Sequence, residues 1–447
     1  MTLSLDPGWL AEAAAALREA NLALVRRHPG EGPGRQPVHT VYGGAQLFAA
    51  DAIPKLGGLA LQSLDRYALT PDELGAALGI SEHPALATIH QRLREKLVGE
   101  PIEDYRIDFE DGYGNRPDAE EDGDAGAVAA AVAQGRHDRT LAPFIGIRIK
   151  PLNEELRGRS VRTLDLVLTA LARSESLPEH WIVTVPKITV IEQVTFCATL
   201  LAALERKLAL TPGTLRFEVM VETPYLVLDA RGTSLLPRLL DVSDGRLSGA
   251  HFGTYDYTAG VNITAAYQRM RHPACEFAKQ VMQVAFAGTG VWLSDGSTSV
   301  LPVPIHREVA GGSPLSAEQL AANRRSVHAA WKLHFDDVRH SLAGGFYQGW
   351  DLHPAQLVSR YAALYSFFLE GIDAAGARLK NFVSKAAQAT LVGDVFDDAA
   401  TGQGLLNFFL RGINSGAISE AEALAMTGLT ADELRGRSFV AIMRRRA

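Results

Sequence analysis

The chain has 447 residues, 47% hydrophobic and 21% charged, with a mean hydropathy near zero, the profile of a globular protein with a large core and not of a disordered chain. Its 44 basic and 51 acidic residues leave a net charge of −7, and the basic residues are scattered apart from Arg444, Arg445 and Arg446, so nucleic-acid binding has no compositional support. No run approaches the ~20 apolar residues of a membrane span, and the only two cysteines, Cys197 and Cys275, lie in apolar sequence, which predicts a cytoplasmic protein without a disulfide framework.

The opening segment MTLSLDPGWLAEAAAALREANLALVRR interleaves apolar residues with Glu, Arg and Asn at helical spacing. This predicts an amphipathic helix and not a secretory signal. A Pro/Gly-rich connection over 28–37 ends it, so residues 1–36 are expected to form an N-terminal helical extension.

Eight β-rich runs follow, each closed by a Gly, Pro or acidic turn and separated by Ala/Leu-rich helical stretches: 38–42, 105–110, 144–150, 181–187, 215–222, 247–253, 290–296 and 344–353. Helical crossovers of this length favour parallel pairing. Polar residues close nearly every run: Asp108, Glu110 and Asp111; Arg148 and Lys150; Lys187; Glu222; Asp256 just past the sixth; Asp295; Asp351 with His353. In a closed (β/α)8 barrel those ends meet on one face, where active sites of this fold lie, whereas an open sheet spreads them along a line. The expected fold is therefore α/β, a (β/α)8 barrel over residues 37–357, followed by a C-terminal helical region over 358–447. Two Thr-x-Asp-Glu-Leu stretches, at Thr70 and Thr430, read as Thr-capped helix starts. The apolar segment YAALYSFFLEG looks too greasy for water and points to a homo-oligomer.

Glu222 and Asp256 are the residues expected to carry chemistry. Two carboxylates at one barrel mouth repel each other unless they share a cation or one keeps its proton. Oxygen ligands suit Mg²⁺ or Mn²⁺; the plainer alternative is a cap at Glu222 and turn hydrogen bonds at Asp256. Arg148, inside a strand, needs an anion, either a substrate carboxylate or an ion pair with Asp108 or Glu110. Glu110 and Asp111 either face the metal's water shell or cap backbone amides. Lys187 either neutralises these acids or touches substrate, and His251 reads as a satisfied inner-face histidine.

In chain order, VYGGAQ, IDFEDGYG, GIRIKPL, TVPKI, VMVETP, HFGTYDYTAG and GFYQGWDLHPAQL resemble the citrate lyase beta-subunit-like group of the pyruvate/phosphoenolpyruvate barrel superfamily, which includes malyl-CoA lyases and is related to malate synthase. The resemblance covers about residues 38–357. It implies that Glu222 and Asp256 bind Mg²⁺, that Arg148 binds the substrate's carboxylate or carbonyl end, and that Lys187, Pro224, Gly253 and Thr254 line the substrate site. It also implies that an acid/base Asp comes from a C-terminal Gly-x-x-x-Asp segment, here GDVFDD, which nominates Asp397 with Asp398 as its rival, alongside Glu110 and Asp111. This chain departs from the family's pattern with Lys150 where Asn is common and with Gly-Gly-Ala-Gln where the family has Pro-Gly-Asp-Arg. The implied activity is metal-dependent carbon–carbon bond cleavage or formation in a small oxo- or hydroxy-carboxylate or its CoA thioester. The alternatives are a CoA-independent 4-hydroxy-2-oxo acid aldolase and a non-catalytic metabolite-binding barrel.

Overall fold

In the computed structural model each of the eight runs forms a strand: β1 (Thr40–Gly44), β2 (Asp104–Asp108), β3 (Phe144–Arg148), β4 (Trp181–Val185), β5 (Arg216–Val221), β6 (Leu247–Phe252), β7 (Trp292–Ser297) and β8 (Gln348–Asp351). All neighbours pair in parallel and β8 closes onto β1, giving a closed barrel in sequential order. The structure describes residues 4–32, 34–308, 313–384, 390–392, 395–397 and 399–446, of which 390–392, 395–397 and 399 by backbone only.

Helices α1 (Pro7–Arg27), α2 (Ala52–Tyr67), α3 (Pro71–Leu78) and α4 (Leu86–Gly99) precede β2. The later crossovers carry α5 (Asp118–Asp138), α6 (Arg157–Arg173), α7 (Ile191–Lys207), α8 (Pro224–Val227), α9 (Leu236–Val242), α10 (Thr254–Gly260), α11 (Pro273–Phe286) and α12 (Ala317–Ala343). After β8 come α13 (Gln356–Leu369), α14 (Ile372–Ser384), a short hairpin of β9 (Thr390–Val392) and β10 (Val395–Asp397), and then α15 (Ala399–Asn414), α16 (Glu420–Thr427), α17 (Ala431–Arg435) and α18 (Phe439–Arg446). Both Thr-capped starts form as expected. Thr70 and Glu73 make a reciprocal capping box on α3, and Thr430 and Glu433 make one on α17.

Strand parity sorts the side chains. Ile107, Ile145, Ile147, Val183, Val185, Phe217, Val219, Val221, Ala250 and Phe252 point outward and are buried under the helices, which is where the apolar core lies. The barrel interior is polar. Arg106 spans it, donating through Nε and Nη2 to the two oxygens of Glu218 at 2.9 Å each and also pairing with Asp104. His251 completes this layer, with Nε2 3.0 Å from Glu218 and Nδ1 accepting from Trp350 Nε1 at 3.3 Å. Buried charge is tolerated here because every charge meets its opposite; removing one partner of such a pair typically costs about 3–5 kcal/mol.

The apolar tail segment does not face water. Tyr361, Ala362, Ala363, Leu364, Tyr365 and Phe368 of α13 are buried within the chain against α12, α4 and α2, so this segment gives no reason to expect an oligomer. Helix α1 has no buried residue, and its Trp9, Leu10, Leu17, Leu24 and Val25 are exposed.

Candidate active site at the rim of the barrel

Asp108, the last residue of β2, accepts from Arg148 through Nε at 2.7 Å and Nη2 at 2.5 Å, and from the backbone N–H groups of Glu110 and Gly112 at 2.9 and 2.7 Å. This four-donor clamp follows from register, because Asp108 lies opposite Arg148 on the neighbouring strand. The ion-pair reading of Arg148 is therefore correct, and it leaves one edge of the guanidinium free of Asp108. That edge, Nη1, stands 3.3 Å from Glu110 and 3.8 Å from Asp111. Beneath it lie two aromatic rings that sequence reasoning passed over: Tyr42, with its centroid 4.9 Å from the guanidinium carbon, and Trp350 at 6.0 Å. Both face inward on the neighbouring strands β1 and β8, tilted by 32° with their centroids 4.5 Å apart, and rings so placed favour a cation. Parity within their strands was the signal that could have found them.

Lys187 follows Pro186 in the left-handed region, at φ 49°, a conformation costly for a side chain with a Cβ and one that collects at functional sites. The turn has two consequences. Its N–H donates to Glu222 Oε1 at 2.7 Å, and its Nζ donates to Glu110 and to Asp111 at 3.0 Å, 3.9 Å from Asp256. Burial and the charge of Asp111 raise the Glu110 carboxyl despite the opposing pull of Arg148 and Lys187. For Asp111, burial is outweighed by its hydrogen bond with Glu110 and by the Arg148 and Lys187 charges, which hold it low.

Glu222 stands one residue past β5 and is 2% exposed. Among the described residues its one hydrogen bond comes from Lys187 N–H, so Oε2 has no donor. Burial, and then the neighbouring charge of Asp256, push its carboxyl up to about 8 against the opposing influence of Arg148 and Lys187. Asp256, in the first turn of α10, has a side chain 44% exposed, and burial raises it too. Gly253 makes this packing feasible, since a Cβ there would stand 2.4 Å from both Cβ and Oε2 of Glu222. Thr254 is buried with its hydroxyl unpartnered, 2.0 Å from where a Cβ on Gly296 would lie. Pro224 opens α8 and packs against Gly260.

The rim thus gathers Glu110, Asp111, Arg148, Lys187, Glu222 and Asp256, together with Gly253. Three other strand-end charges do not join it. Lys150 turns into the helix layer, donating to Glu121 and to Phe109 O at 2.7 Å each. Asp295 points outward, between Lys279 at 2.9 Å and Ser341 at 2.7 Å. Asp351 also points outward, its carboxylate 2.9 Å from His39, 3.0 Å from His334 and 3.0 Å from Arg360. Alternation explains the last two, because Ser294 and Gly296 on β7 and Trp350 on β8 occupy the inward positions. His353 caps the start of the next segment, its Nδ1 accepting from Ala355 N–H at 3.1 Å. His251 is a satisfied inner-face histidine, as expected. Asp397 ends β10, where only the backbone is described, and Asp398 lies outside the described residues.

Among the described residues no group of three His, Cys, Asp or Glu side chains forms a metal cage. Glu222 and Asp256 offer two carboxylates near one another, close enough for the charge of Asp256 to raise Glu222. Such a site fits Mg²⁺, which takes one or two protein carboxylates and completes its shell with water and substrate oxygens. The observation in favour of this fit is that Oε2 of Glu222 accepts from no donor among the described residues. No helix among the described residues is long and apolar enough to cross a membrane.

Among solved structures, the chain is similar to a citrate lyase from Burkholderia xenovorans LB400, with 17% identity, a TM-score of 0.57, and 89% of this chain and 98% of that one covered. It is also similar to a magnesium/glyoxylate complex of Haloferax volcanii malate synthase, at 13% identity and TM-score 0.48 over 92% and 97% of the two chains. A third similar structure is Mycobacterium tuberculosis CitE with magnesium, acetoacetate and coenzyme A, at 15% and 0.48 over 85% and 99%. At the identity of the first, the likeness establishes a shared barrel fold. No curated protein matches the chain. The family model described as "Domain of unknown function (DUF6986)" matches residues 17–442, and the chain belongs to that family.

Proposed function

We propose that the barrel rim makes or breaks a carbon–carbon bond in a small oxo- or hydroxy-carboxylate or its CoA thioester, with Mg²⁺ held by Glu222 and Asp256. The observation that carries this reading is the buried Glu222 carboxylate with one oxygen unpartnered, beside a second, half-exposed carboxylate and within the influence of Arg148. The shared fold with a citrate lyase and the order of the seven motifs support the same reaction class.

When bound, the cation would act as a Lewis acid on substrate oxygens, an effect worth several kcal/mol where negative charge develops. The chain's own residues set up the rest. The Nη1 edge of Arg148, left over by Asp108 and backed by the Tyr42 and Trp350 rings, binds and orients the substrate carboxylate. Lys187 offsets the charge of Glu110 and Asp111, so that the cluster survives partial exclusion of water. Glu110, with its raised carboxyl, holds or moves the proton as the bond breaks, for an effect on the order of 10²–10⁴ in rate. Asp397 is the alternative acid.

The test is deuterium exchange into the methyl groups of pyruvate and of acetyl-CoA, followed by NMR with Mg²⁺ and with EDTA. Exchange into acetyl-CoA identifies a thioester lyase, and exchange into pyruvate alone a CoA-independent aldolase. Persistence of either in EDTA refutes the metal. No exchange with either, combined with a thermal shift on adding oxo acids, would leave a metabolite-binding barrel.

A further inference from the structure

The aromatic floor beneath Arg148 is where the inside of the barrel meets solvent. Arg106, Thr184, Glu218, Met220 and His251 point inward and are buried, whereas Tyr42 and Trp350, which also point inward, are partly exposed. The Tyr42 ring is held on two sides, by Trp350 with centroids 4.5 Å apart and by the Arg148 guanidinium carbon 4.9 Å from its own centroid. Trp350 is fixed in turn, since its Nε1 donates to His251 Nδ1 at 3.3 Å. The phenol therefore has one orientation.

Its hydroxyl is poorly used. Among the described residues its one hydrogen bond goes to Met220 Sδ at 3.9 Å, and a thioether is a weak acceptor. An enclosed tyrosine hydroxyl usually has a good partner, so a weakly used one calls for an explanation. Met220 shows where the hydroxyl lies. It precedes Glu222 by two residues, on the inward side of β5, so the phenol runs from beneath Arg148 towards the wall that carries Glu222. Desolvation, followed by the charge of Glu218, raises the phenol well above its ordinary value despite the opposing Arg106 and Arg148. It is a neutral donor across the neutral pH range.

We infer that Tyr42 is a further catalytic residue: its hydroxyl donates a hydrogen bond to the oxygen on the carbon next to the substrate's carboxylate, where negative charge develops. This rests on the lyase reading above, which sets the carboxylate at Arg148. A donor fixed before reaction stabilises developing charge without reorganising, and removing one such donor costs on the order of 10²–10³ in kcat.

The test is Tyr42→Phe in the full chain with Mg²⁺, which keeps the ring and removes the hydroxyl. Oxalate, a planar dianion shaped like the enolate of pyruvate, is the binding probe, followed by calorimetry beside pyruvate. Because a hydrogen bond to a charged oxygen is the stronger kind, the oxalate dissociation constant is expected to rise ~10- to 100-fold and that of pyruvate only about 3-fold. Deuterium exchange should fall ~10²-fold in kcat, with the urea midpoint unchanged. Met220→Leu, which removes the thioether and keeps the phenol, should leave oxalate affinity as it was. Equal oxalate affinity in wild type and Tyr42→Phe would overturn the inference alone, and so would an equal loss in Met220→Leu. A wild-type chain that binds neither oxalate nor pyruvate would overturn the lyase reading and this inference with it.

Discussion

Replacing Glu222 by Gln isolates the cost of its buried charge. In metal-free solution the carboxyl keeps its proton in the folded chain up to about pH 8, whereas its ordinary value is 4.5. A folded-state value raised above the unfolded one means that the native state binds the extra proton. The group's stabilising contribution is then complete below pH 4.5 and is lost as pH rises through 8. Between pH 5.5 and 8.5 this amounts to ~3 kcal/mol, at 1.36 kcal/mol per unit of separation. Glutamine does not titrate, so the variant should lack this loss, and groups common to both proteins cancel in the comparison. Urea unfolding of both proteins at the two pH values in EDTA measures the difference. Saturating Mg²⁺ should flatten the wild-type profile while leaving the variant unmoved. Wild-type and variant stabilities that fall in parallel, within about 1 kcal/mol, would refute the account of Glu222 as a desolvated acid next to Asp256.

Gly253→Ala forces a Cβ against Glu222 and should destabilise the chain by about 1–3 kcal/mol and abolish its Mg²⁺-induced rise in melting temperature; a normal rise would show that the contact is not needed. Arg148→Lys removes the paired donors to Asp108, and a lysine cannot present the same fork. Exchange activity should drop ~10²-fold, chiefly through substrate affinity, which a KM measurement would show. Asp351→Ala strands buried Arg360 beside His39 and His334; urea unfolding should record a loss of about 3–5 kcal/mol with the Mg²⁺ response of the remaining folded protein intact.

Strand positions were legible because each is a β-branched or aromatic run ended by a turn residue, and all eight strands fall within or beside the expected runs. The convergence of Glu222, Asp256, Arg148 and Lys187 was legible for the same reason, since strand ends of a barrel share a rim. Which face each charge takes was not. Asp295 and Asp351 sit one position out of phase with the inward residues of their strands, and a strand end of uncertain phase reads the same either way. Lys150 lies beyond its strand, where alternation no longer governs, and Glu121 on α5 captures it. The burial of α13 was hidden because a helix apolar on most of its surface looks the same whether neighbouring helices or another subunit surround it. The left-handed Lys187 leaves no compositional trace, because the residue usually found in that conformation is glycine.

The polar interior restricts how this barrel can change over evolutionary time. Arg106, Glu218, His251 and Trp350 are linked in series, and Trp350 in turn supports Arg148. An apolar filling would tolerate gradual exchange of one aliphatic residue for another. A linked set of charged and hydrogen-bonded groups does not, because any single replacement strands its neighbour. Homologues should therefore keep these positions as a block or replace them together, and grafting a foreign rim onto this scaffold would require bringing the layer beneath it as well.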